Sequence, residues 1–298
     1  MNKTCGACGA HACRQSCDQA FATNGIAKVH WECWAKCNLH CKFCYRTKDE
    51  ALSFNDAEKL LRIVATSGAQ WITFAGGDPS VRPDIVALIR SARSLGLKIE
   101  VQTNADSISP QFRDEILTVD QVGLSLDGPT PEVHDVFRDR PGNYLRVMAL
   151  LSDLAAAHVP TLIRTVVALS NQDAVPAIAH VLSPYSNVRR WSILEFSPLG
   201  DGYVNREKYE LPPDTFRNIV GRAKREGGSH LNVDGFGNDA KAGTYALVSP
   251  GGRLYGTEYV DDHLGHRFVG NMLTDHLSDL VEALPFNSQR HHARYGDA

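Results

Sequence analysis

The chain has 298 residues, of which 43% are hydrophobic and 22% are charged, and its formal net charge is −3 at pH 7. This composition is typical of a globular protein with a sizeable core, and a charge so close to neutral offers no field that would attract nucleic acid or anionic lipid. The N-terminus lacks the apolar segment of a signal peptide, and no apolar run approaches the roughly 18 residues of a membrane span. We therefore expect a cytoplasmic protein without a nucleic-acid or membrane partner.

The cysteines are concentrated near the N-terminus, because all eight precede residue 45. Disulfide frameworks usually distribute their cysteines through a short secreted chain. The bunching in this long chain favours metal or cluster binding in a reducing compartment instead. The first group has the spacing C-x2-C-x4-C-x3-C and consists of Cys5, Cys8, Cys13 and Cys17.

From about residue 26 the chain alternates between strand patterns and helix patterns. The predicted strands are, in order, IAKVHWEC, QWITFAGG, KIEVQTN, QVGLSLDG, PTLIRTVVAL and RRWSILEFSPLG. The predicted helices between them are NDAEKLLRIVATSG, RPDIVALIRSARSLG, PQFRDEILT, NYLRVMALLSDLAAAH and QDAVPAIAHVL. Strands that alternate with helices predict an α/β fold with a parallel sheet and right-handed crossovers. Six such units fit an open, partial barrel as well as a doubly wound sheet.

After about residue 200 the pattern changes. PPDTFRNIVGRAKREGG predicts one more helix, TYALVSPGGRLYGTEYV predicts a hairpin that turns at Pro250, and the polar segment FNSQRHHARYGDA predicts a loose tail. These changes predict three parts: a cysteine-rich extension over residues 1–25, a core over residues 26–200, and a cap with a helix and a hairpin over residues 201–298.

A second group of thiols has the spacing C-x3-C-x2-C and consists of Cys37, Cys41 and Cys44, just past the first predicted strand. Thiolates are the soft ligands that select zinc or iron–sulfur centres. Three of them would leave one iron of a 4Fe–4S cluster open for another ligand, whereas a fourth, Cys33, would close a structural zinc site. The loop that follows a parallel strand is also where barrels and open α/β sheets place their active sites.

Further motifs stand at the ends of later strands, and with the three cysteines they resemble the radical S-adenosylmethionine (SAM) superfamily. These motifs are GGDP, QTN, SLD and the arginine of the fifth strand. The residues that the resemblance assigns to SAM are Phe43, Gly76, Gly77, Asp78, Thr103, Asn104, Ser125, Asp127 and Arg164. Asp78 stands where the family usually has glutamate. Ser125 and Asp127 could instead cap a turn, and Arg164 could be a paired strand residue.

The resemblance implies a partial (β/α)6 barrel that holds a 4Fe–4S cluster through the three cysteines and binds SAM at the open iron. It also implies that an electron donor such as flavodoxin or ferredoxin reduces the cluster. SAM is then cleaved to a 5′-deoxyadenosyl radical, which abstracts a hydrogen atom from the substrate.

Within the superfamily, the sequence is most similar to the branch of peptide maturases and molybdopterin-precursor cyclases. Many maturases of that branch carry a cysteine for an auxiliary cluster near the position of Thr257, but this chain has no cysteine after Cys44. We therefore expect no thiolate-ligated cluster in the C-terminal part. The four N-terminal cysteines are predicted to hold a second iron–sulfur cluster or zinc.

The candidate catalytic residues are Glu195 on the sixth strand and Tyr255 and Glu258 on the hairpin, and Tyr203 is expected to line the same cavity. A glutamate that faces the cavity could bind a substrate hydroxyl or amine or act as a general base. Glu195 could instead form an ion pair with an arginine of its own strand. Tyr255 could be a packing residue rather than a radical relay.

These observations predict an enzyme that abstracts a hydrogen atom from a small metabolite, such as a sugar or nucleoside, for oxidation, dehydration or epimerisation. The first alternative is a maturase that crosslinks or epimerises a ribosomally made peptide. The second alternative is a non-catalytic interaction protein that binds an iron–sulfur cluster or zinc.

Overall fold

The computed structural model describes residues 19–260 and 263–295. The four N-terminal cysteines that are predicted to hold a second cluster or zinc lie outside the described residues, and that expectation therefore stays a prediction. These residues are Cys5, Cys8, Cys13 and Cys17.

Within the described residues, ten strands form one sheet in the order β10-β9-β8-β1-β2-β3-β4-β5-β6-β7. The strands are β1 (Lys28–Trp34), β2 (Trp71–Gly76), β3 (Lys98–Thr103), β4 (Gln121–Ser125), β5 (Thr161–Val167), β6 (Val188–Glu195), β7 (Val233–Phe236), β8 (Ala246–Val248), β9 (Arg253–Val260) and β10 (His263–Asn271). All neighbours from β8 through β1 to β7 are parallel. β9 is antiparallel to both β8 and β10.

The helices of the described chain mostly connect successive parallel strands. They are α1 (Ala20–Thr23), α2 (Phe54–Thr66), α3 (Ile85–Ser94), α4 (Pro110–Ile116), α5 (Pro131–Arg138), α6 (Asn143–Ala156), α7 (Ile178–Leu182), α8 (Asp201–Val204), α9 (Thr215–Gly227), α10 (Asn238–Lys241), α11 (Leu277–Ala283) and α12 (Ser288–Tyr295). None of these described helices combines the length and the apolar character that crossing a membrane requires.

The first strand shows why the two faces of the sheet differ. Val29, Trp31 and Cys33 are fully buried in the apolar core, whereas His30 and Glu32 line a cavity on the opposite face. This alternation follows from the period of two in a β-strand. The helices therefore cover an apolar face, and the inner face of the curved sheet carries polar groups.

The predicted partial barrel is confirmed, and it is longer than its six predicted strands. β7 pairs with β6 and β8 pairs with β1, both in parallel, so that eight parallel strands surround the interior. The sequence did not predict these two strands as barrel strands because they have only four and three residues, too few for an alternating pattern to stand out. Strands on both sides of the predicted domain boundary at residue 200 belong to this one sheet.

The prediction of a loose C-terminal tail is wrong, because residues 288–295 form α12. His291 is fully buried, and its Nε2 accepts hydrogen bonds from the backbone N–H groups of Ala27 and Lys28, each at 3.2 Å. Its Nδ1 donates to the carbonyl oxygen of Thr244 at 2.9 Å. One polar side chain of this segment, His291, thus satisfies the backbone at the start of β1 instead of facing water.

Candidate active site

A cavity of about 560 Å³ opens at the carboxyl ends of the parallel strands. Its lining comes from the loop after β1, the ends of β2 to β6, the hairpin β9–β10, and the short helices α10 and α12. Ligand sites of parallel α/β folds lie at this end of the strands. The cavity is therefore the candidate active site.

The three cysteines of the second group, Cys37, Cys41 and Cys44, line this cavity together as free thiols. Cys33 does not join them, because it is fully buried on β1 with its Sγ 3.3 Å from the carbonyl oxygen of Ala75. The alternative zinc site therefore lacks its fourth thiolate here. Across residues 19–260 and 263–295, no three His, Cys, Asp or Glu side chains form a set that could hold a single metal ion.

The chemistry of this donor set fits an iron–sulfur cluster, whose ligands are cysteine thiolates. Burial raises the pKa of all three thiols, and it raises the pKa of Cys41 to about 12. The thiols are therefore protonated at neutral pH without a metal, and loading of the cluster must release their protons.

Two glycines at the end of β2 let the cysteine loop approach the sheet. A Cβ atom on Gly77 would lie 2.0 Å from the carbonyl oxygen of Lys36, and a Cβ atom on Gly76 would lie 2.5 Å from that of Trp34. Gly77 N donates to Trp34 O at 2.6 Å. No other residue fits so close a backbone approach, which explains why this sequence motif is rich in glycine.

Asp78 follows these glycines and ties the end of β2 to the end of β3. Its buried carboxylate accepts hydrogen bonds from Ser80 N at 2.9 Å, from Thr103 Oγ1 at 3.0 Å and from Asn104 N at 2.7 Å. Burial raises the pKa of this carboxyl, although the hydrogen bonds oppose the rise. Asp78 lines the cavity, but three protein donors already occupy its oxygens.

Asn104 connects this arrangement to the cysteines. Its Nδ2 donates to Asn38 Oδ1 at 2.9 Å and lies 3.5 Å from Cys37 Sγ. Its backbone carbonyl accepts from Asn143 Nδ2 at 3.0 Å. The structure thus brings Asp78, Asn104 and Cys37 into one hydrogen-bonded chain.

Two more of the residues assigned to SAM, Phe43 and Asp127, both contact Arg138 at the end of α5. Phe43 stacks on Phe137 with ring centroids 4.3 Å apart. The guanidinium of Arg138 lies 5.7 Å from the centroid of the Phe43 ring, and its Nε donates to Asp127 Oδ2 at 2.6 Å. Ser125 and Phe43 line the cavity, whereas Asp127 is fully buried behind Arg138.

Arg164 lies on the inner face of the barrel, among charged residues that the sequence did not connect. Its Nη2 donates to Glu100 Oε1 at 2.7 Å, and Lys28 Nζ lies 2.5 Å from Glu100 Oε2. Burial alone would raise the pKa of Glu100, but the two cations hold it below its usual range. Arg164 also lines the cavity. It is therefore both a paired strand residue and a residue that faces the cavity.

Glu195 lines the cavity at the end of β6, and its Oε2 accepts from the backbone N–H of Asn238 at 2.8 Å. The alternative ion pair with an arginine of its own strand does not form through Arg190, which lies 3.9 Å from Asp234 instead. Helix α10 thus positions this carboxylate.

The structure adds Lys241, for which no sequence motif indicated a role. Its Nζ lines the cavity and donates to the carbonyl oxygen of Glu195, to Ser197 Oγ at 2.7 Å and to Asn238 Oδ1 at 3.0 Å. Burial lowers the pKa of Lys241 to about 7, while the charge of Glu195 opposes this effect. We call Glu195, Ser197 and Lys241 the polar wall of the cavity.

His30 and Glu32 of β1 also line the cavity, and a signal for them existed in the sequence. Both are polar residues that alternate with apolar ones along the first predicted strand. Glu32 accepts hydrogen bonds from the hydroxyl and the backbone N–H of Thr47. Burial raises the pKa of Glu32.

Neither hairpin residue proposed as catalytic lies in the cavity, which corrects their expected location. Tyr255 is fully buried, with His266 at 5.0 Å and Phe268 at 4.7 Å between ring centroids. Glu258 forms an ion pair with Arg267 at 3.4 Å. It is on the opposite face of β9 from its neighbour in sequence, which lines the cavity, because side chains alternate along a strand.

Tyr203, the fourth residue expected in the lining, lies on α8 and is 49% exposed. Its neighbour Val204 lines the cavity instead. Of the four expected residues, the structure therefore brings only Glu195 to the cavity.

A model of the radical SAM superfamily matches residues 31–182, just over half of the chain. The chain therefore belongs to this superfamily. It is a radical SAM enzyme, and its cofactors are a 4Fe–4S cluster and SAM. The non-catalytic alternative is accordingly set aside.

Two curated relatives and one solved structure show how far the likeness extends. The AdoMet-dependent heme synthase of Methanosarcina barkeri (strain Fusaro / DSM 804) is 29% identical over 66% of this chain and 58% of its own length. The S-adenosylmethionine-dependent nucleotide dehydratase of Lacinutrix mariniflava is 24% identical over 78% of this chain and 51% of its own length. The chain thus spans less than two thirds of the length of either relative.

The solved structure is the native anSMEcpe with bound AdoMet and Cp18Cys peptide. It superposes with a TM-score of 0.67 at 17% identity and covers 89% of this chain and 81% of that chain. This likeness shows that the two chains share a fold.

Proposed function

We propose that this enzyme abstracts a hydrogen atom from a small polar metabolite, such as a sugar or nucleoside, for oxidation, dehydration or epimerisation. The observation that carries this proposal is the polar wall, where a carboxylate, a hydroxyl and an ammonium line one side of the cavity. A few convergent polar groups in a concave site orient a small ligand through hydrogen bonds.

We assign the cluster to Cys37, Cys41 and Cys44, and we assign SAM to the lining residues around them. When bound, the cluster and SAM together supply the 5′-deoxyadenosyl radical that takes the hydrogen atom. Gly76 and Gly77 hold the cysteine loop against β2, and Asp78 holds β3 beside it. These residues fix the geometry on which radical chemistry depends.

Glu195 is the residue of the polar wall that we expect to meet the substrate. A carboxylate can accept a hydrogen bond from a hydroxyl or an amine, or take a proton from a carbon made acidic by the radical. Lys241 holds Ser197 and the backbone of β6 next to it. In its protonated form, Lys241 also offers a positive charge to any anion that forms in the cavity.

The relative from Lacinutrix mariniflava is named as a SAM-dependent dehydratase of nucleotides, which supports a small-molecule substrate. A maturase of a ribosomally made peptide is the second candidate, because the structural neighbour anSMEcpe was solved with a peptide. The polar wall favours the first candidate, because its carboxylate, hydroxyl and ammonium can bond together to one small ligand.

Three further proposals complete the assignment. The electron donor is a small protein such as flavodoxin or ferredoxin, and the enzyme works in the cytoplasm without nucleic-acid or membrane partners. The N-terminal cysteines hold a second iron–sulfur cluster or zinc. The chain divides functionally into residues 1–25, 26–200 and 201–298.

The test is deuterium transfer. The anaerobically reconstituted protein is incubated with SAM, a reductant and deuterated candidate sugars, nucleosides and peptides, and 5′-deoxyadenosine is examined by mass spectrometry. We expect deuterium only with a small polar metabolite, and we expect Glu195→Gln to lower that turnover. Transfer from peptides alone would replace this proposal with the maturase function.

A further inference from the structure

The ion pair between Asp127 and Arg138 lies directly behind the cysteine loop, and the proposed substrate chemistry does not use it. We infer that this pair controls the reduction potential of the cluster: Arg138 favours the reduced state, and Asp127 limits that effect. The inference depends on the cluster at the three cysteines and is independent of the nature of the substrate.

The geometry places Arg138 against the thiols. Arg138 lines the same cavity as Cys37, Cys41 and Cys44, and its backbone carbonyl lies 3.6 Å from Cys41 Sγ. Its side chain is only 9% exposed. Its guanidinium lies 5.7 Å from the ring centroid of Phe43, which stands between Cys41 and Cys44 in the cysteine loop.

Asp127 fixes the guanidinium in this position. Its Oδ2 accepts from Arg138 Nε at 2.6 Å, and its Oδ1 accepts from the backbone N–H of Val166 at 2.7 Å. The carboxylate is fully buried. Both of its oxygens are thus bound by protein donors, so that Asp127 acts on the site through Arg138.

The sign of the effect follows from electrostatics. Reduction adds one negative charge to the cluster, and a fixed cation nearby stabilises that charge. Burial strengthens the interaction, since little water is present to screen it. Net charge and the charges around the sulfur ligands are the means by which proteins set cluster potentials. Loss of Arg138 should therefore make reduction harder, and loss of the Asp127 charge should make it easier.

Opposite shifts separate this inference from a purely structural role. A residue that only maintained packing would give shifts of the same sign in both variants, or none. Arg140 provides the matched control, because it carries the same charge two positions further along the chain. It pairs with Asp106 at 2.8 Å, is 45% exposed and does not line the cavity.

The experiment is a spectroelectrochemical titration of the reconstituted full chain without SAM or substrate, with iron counted in each sample. For Arg138→Gln, we expect the ratio of reduced to oxidised cluster at a given potential to fall about tenfold, which is a shift of about 59 mV for a one-electron couple. For Asp127→Asn, we expect the ratio to rise several-fold. Arg138→Lys and Arg140→Gln should stay within about twofold of the wild type.

Two results would overturn the inference: an unchanged potential in Arg138→Gln with a full complement of iron, or shifts of the same sign in Arg138→Gln and Asp127→Asn. If Arg138→Gln fails to assemble a cluster, Asp127→Asn decides the question. A rise in its potential supports the inference, and an unchanged or lower potential refutes it.

Discussion

The cavity has two sides that are built from different kinds of chain segment. The cysteine side comes from short runs of consecutive residues, 37–44, 76–78 and 103–104, each at the end of a parallel strand. The polar wall depends on β6 and on α10, which are more than 40 residues apart in sequence. The cysteine side therefore consists of groups with a fixed spacing in the sequence. The polar wall consists of groups that only the tertiary fold brings together.

This difference shows which parts of the site can be predicted from the local sequence. Three thiolates within one loop must have a spacing that lets them reach one cluster, and the glycines beside them must admit a backbone. Such requirements appear as motifs. The environment of Lys241, in contrast, arises only when α10 packs against the end of β6. No local sequence pattern distinguishes Lys241 from any other buried polar residue.

The largest expected effect tests the cysteine side. Replacement of Cys37, Cys41 and Cys44 together by alanine should abolish both the cluster of this site and the formation of 5′-deoxyadenosine, because no thiolate ligand remains. Iron analysis and chromatography of the nucleoside measure the two results. The control is Cys33→Ala, which removes a buried thiol outside the cavity. This variant should keep its iron and lose only about 1 kcal/mol of stability. Turnover by the triple alanine variant would refute the assignment of the cluster to these three cysteines.

The predictable part of the site is divided in the same way, between features that are local in sequence and contacts that only the fold creates. The strand-end motifs and the six strands were recognisable because apolar alternation and glycine turns are local features. The roles of Asp78 and Asp127 were not, since only the fold shows that their oxygens bind Asn104 N and Arg138 Nε. The misplacement of Glu258 arose because a hairpin's residues are easily found in sequence, whereas the direction in which its side chains point is not.

The C-terminal helix was missed for a related physical reason. Its hydrophilic composition favoured a solvated tail, but buried backbone N–H groups at the start of β1 need acceptors, and His291 supplies one. Composition reports the average preference of a segment for water. It does not report a specific partner elsewhere in the fold.

A second prediction tests the glycine approach on the cysteine side. Gly77→Ala should lose most of the cluster and of SAM cleavage, and destabilise the fold by about 1–3 kcal/mol, because the new methyl group would meet the Lys36 carbonyl. Iron content and thermal unfolding give the two measurements. Gly221→Ala lies in the interior of α9, where the nearest atom is 3.6 Å away. That control should leave activity unchanged and stabilise the helix slightly. Full iron binding by Gly77→Ala would show that cluster binding does not need a glycine at this close backbone approach.

A third prediction concerns α12, whose His291 bonds the backbone at the start of β1. His291→Leu should cost about 2 kcal/mol of stability, because the buried N–H of Lys28 and the partly buried N–H of Ala27 lose their acceptor. Denaturant unfolding of the holoenzyme measures this change. His292→Leu is the matched control, since the neighbouring imidazole is exposed, and it should change stability by less than about 0.5 kcal/mol. Equal effects of the two substitutions would show that α12 does not secure β1.

The smallest expected effect tests the environment of Lys241 through pH. Its pKa is near 7 in the folded protein and 10.5 in the unfolded chain, so that between these values the unfolded chain binds more protons. Stability from this group therefore increases as pH rises above 7. Between pH 7 and pH 9 the wild type should gain about 1–2 kcal/mol relative to Lys241→Met, measured by denaturant unfolding at both pH values. A constant difference between the two proteins would mean that the ammonium stays charged, held by its three oxygen acceptors, and that the polar wall presents a permanent cation to the substrate.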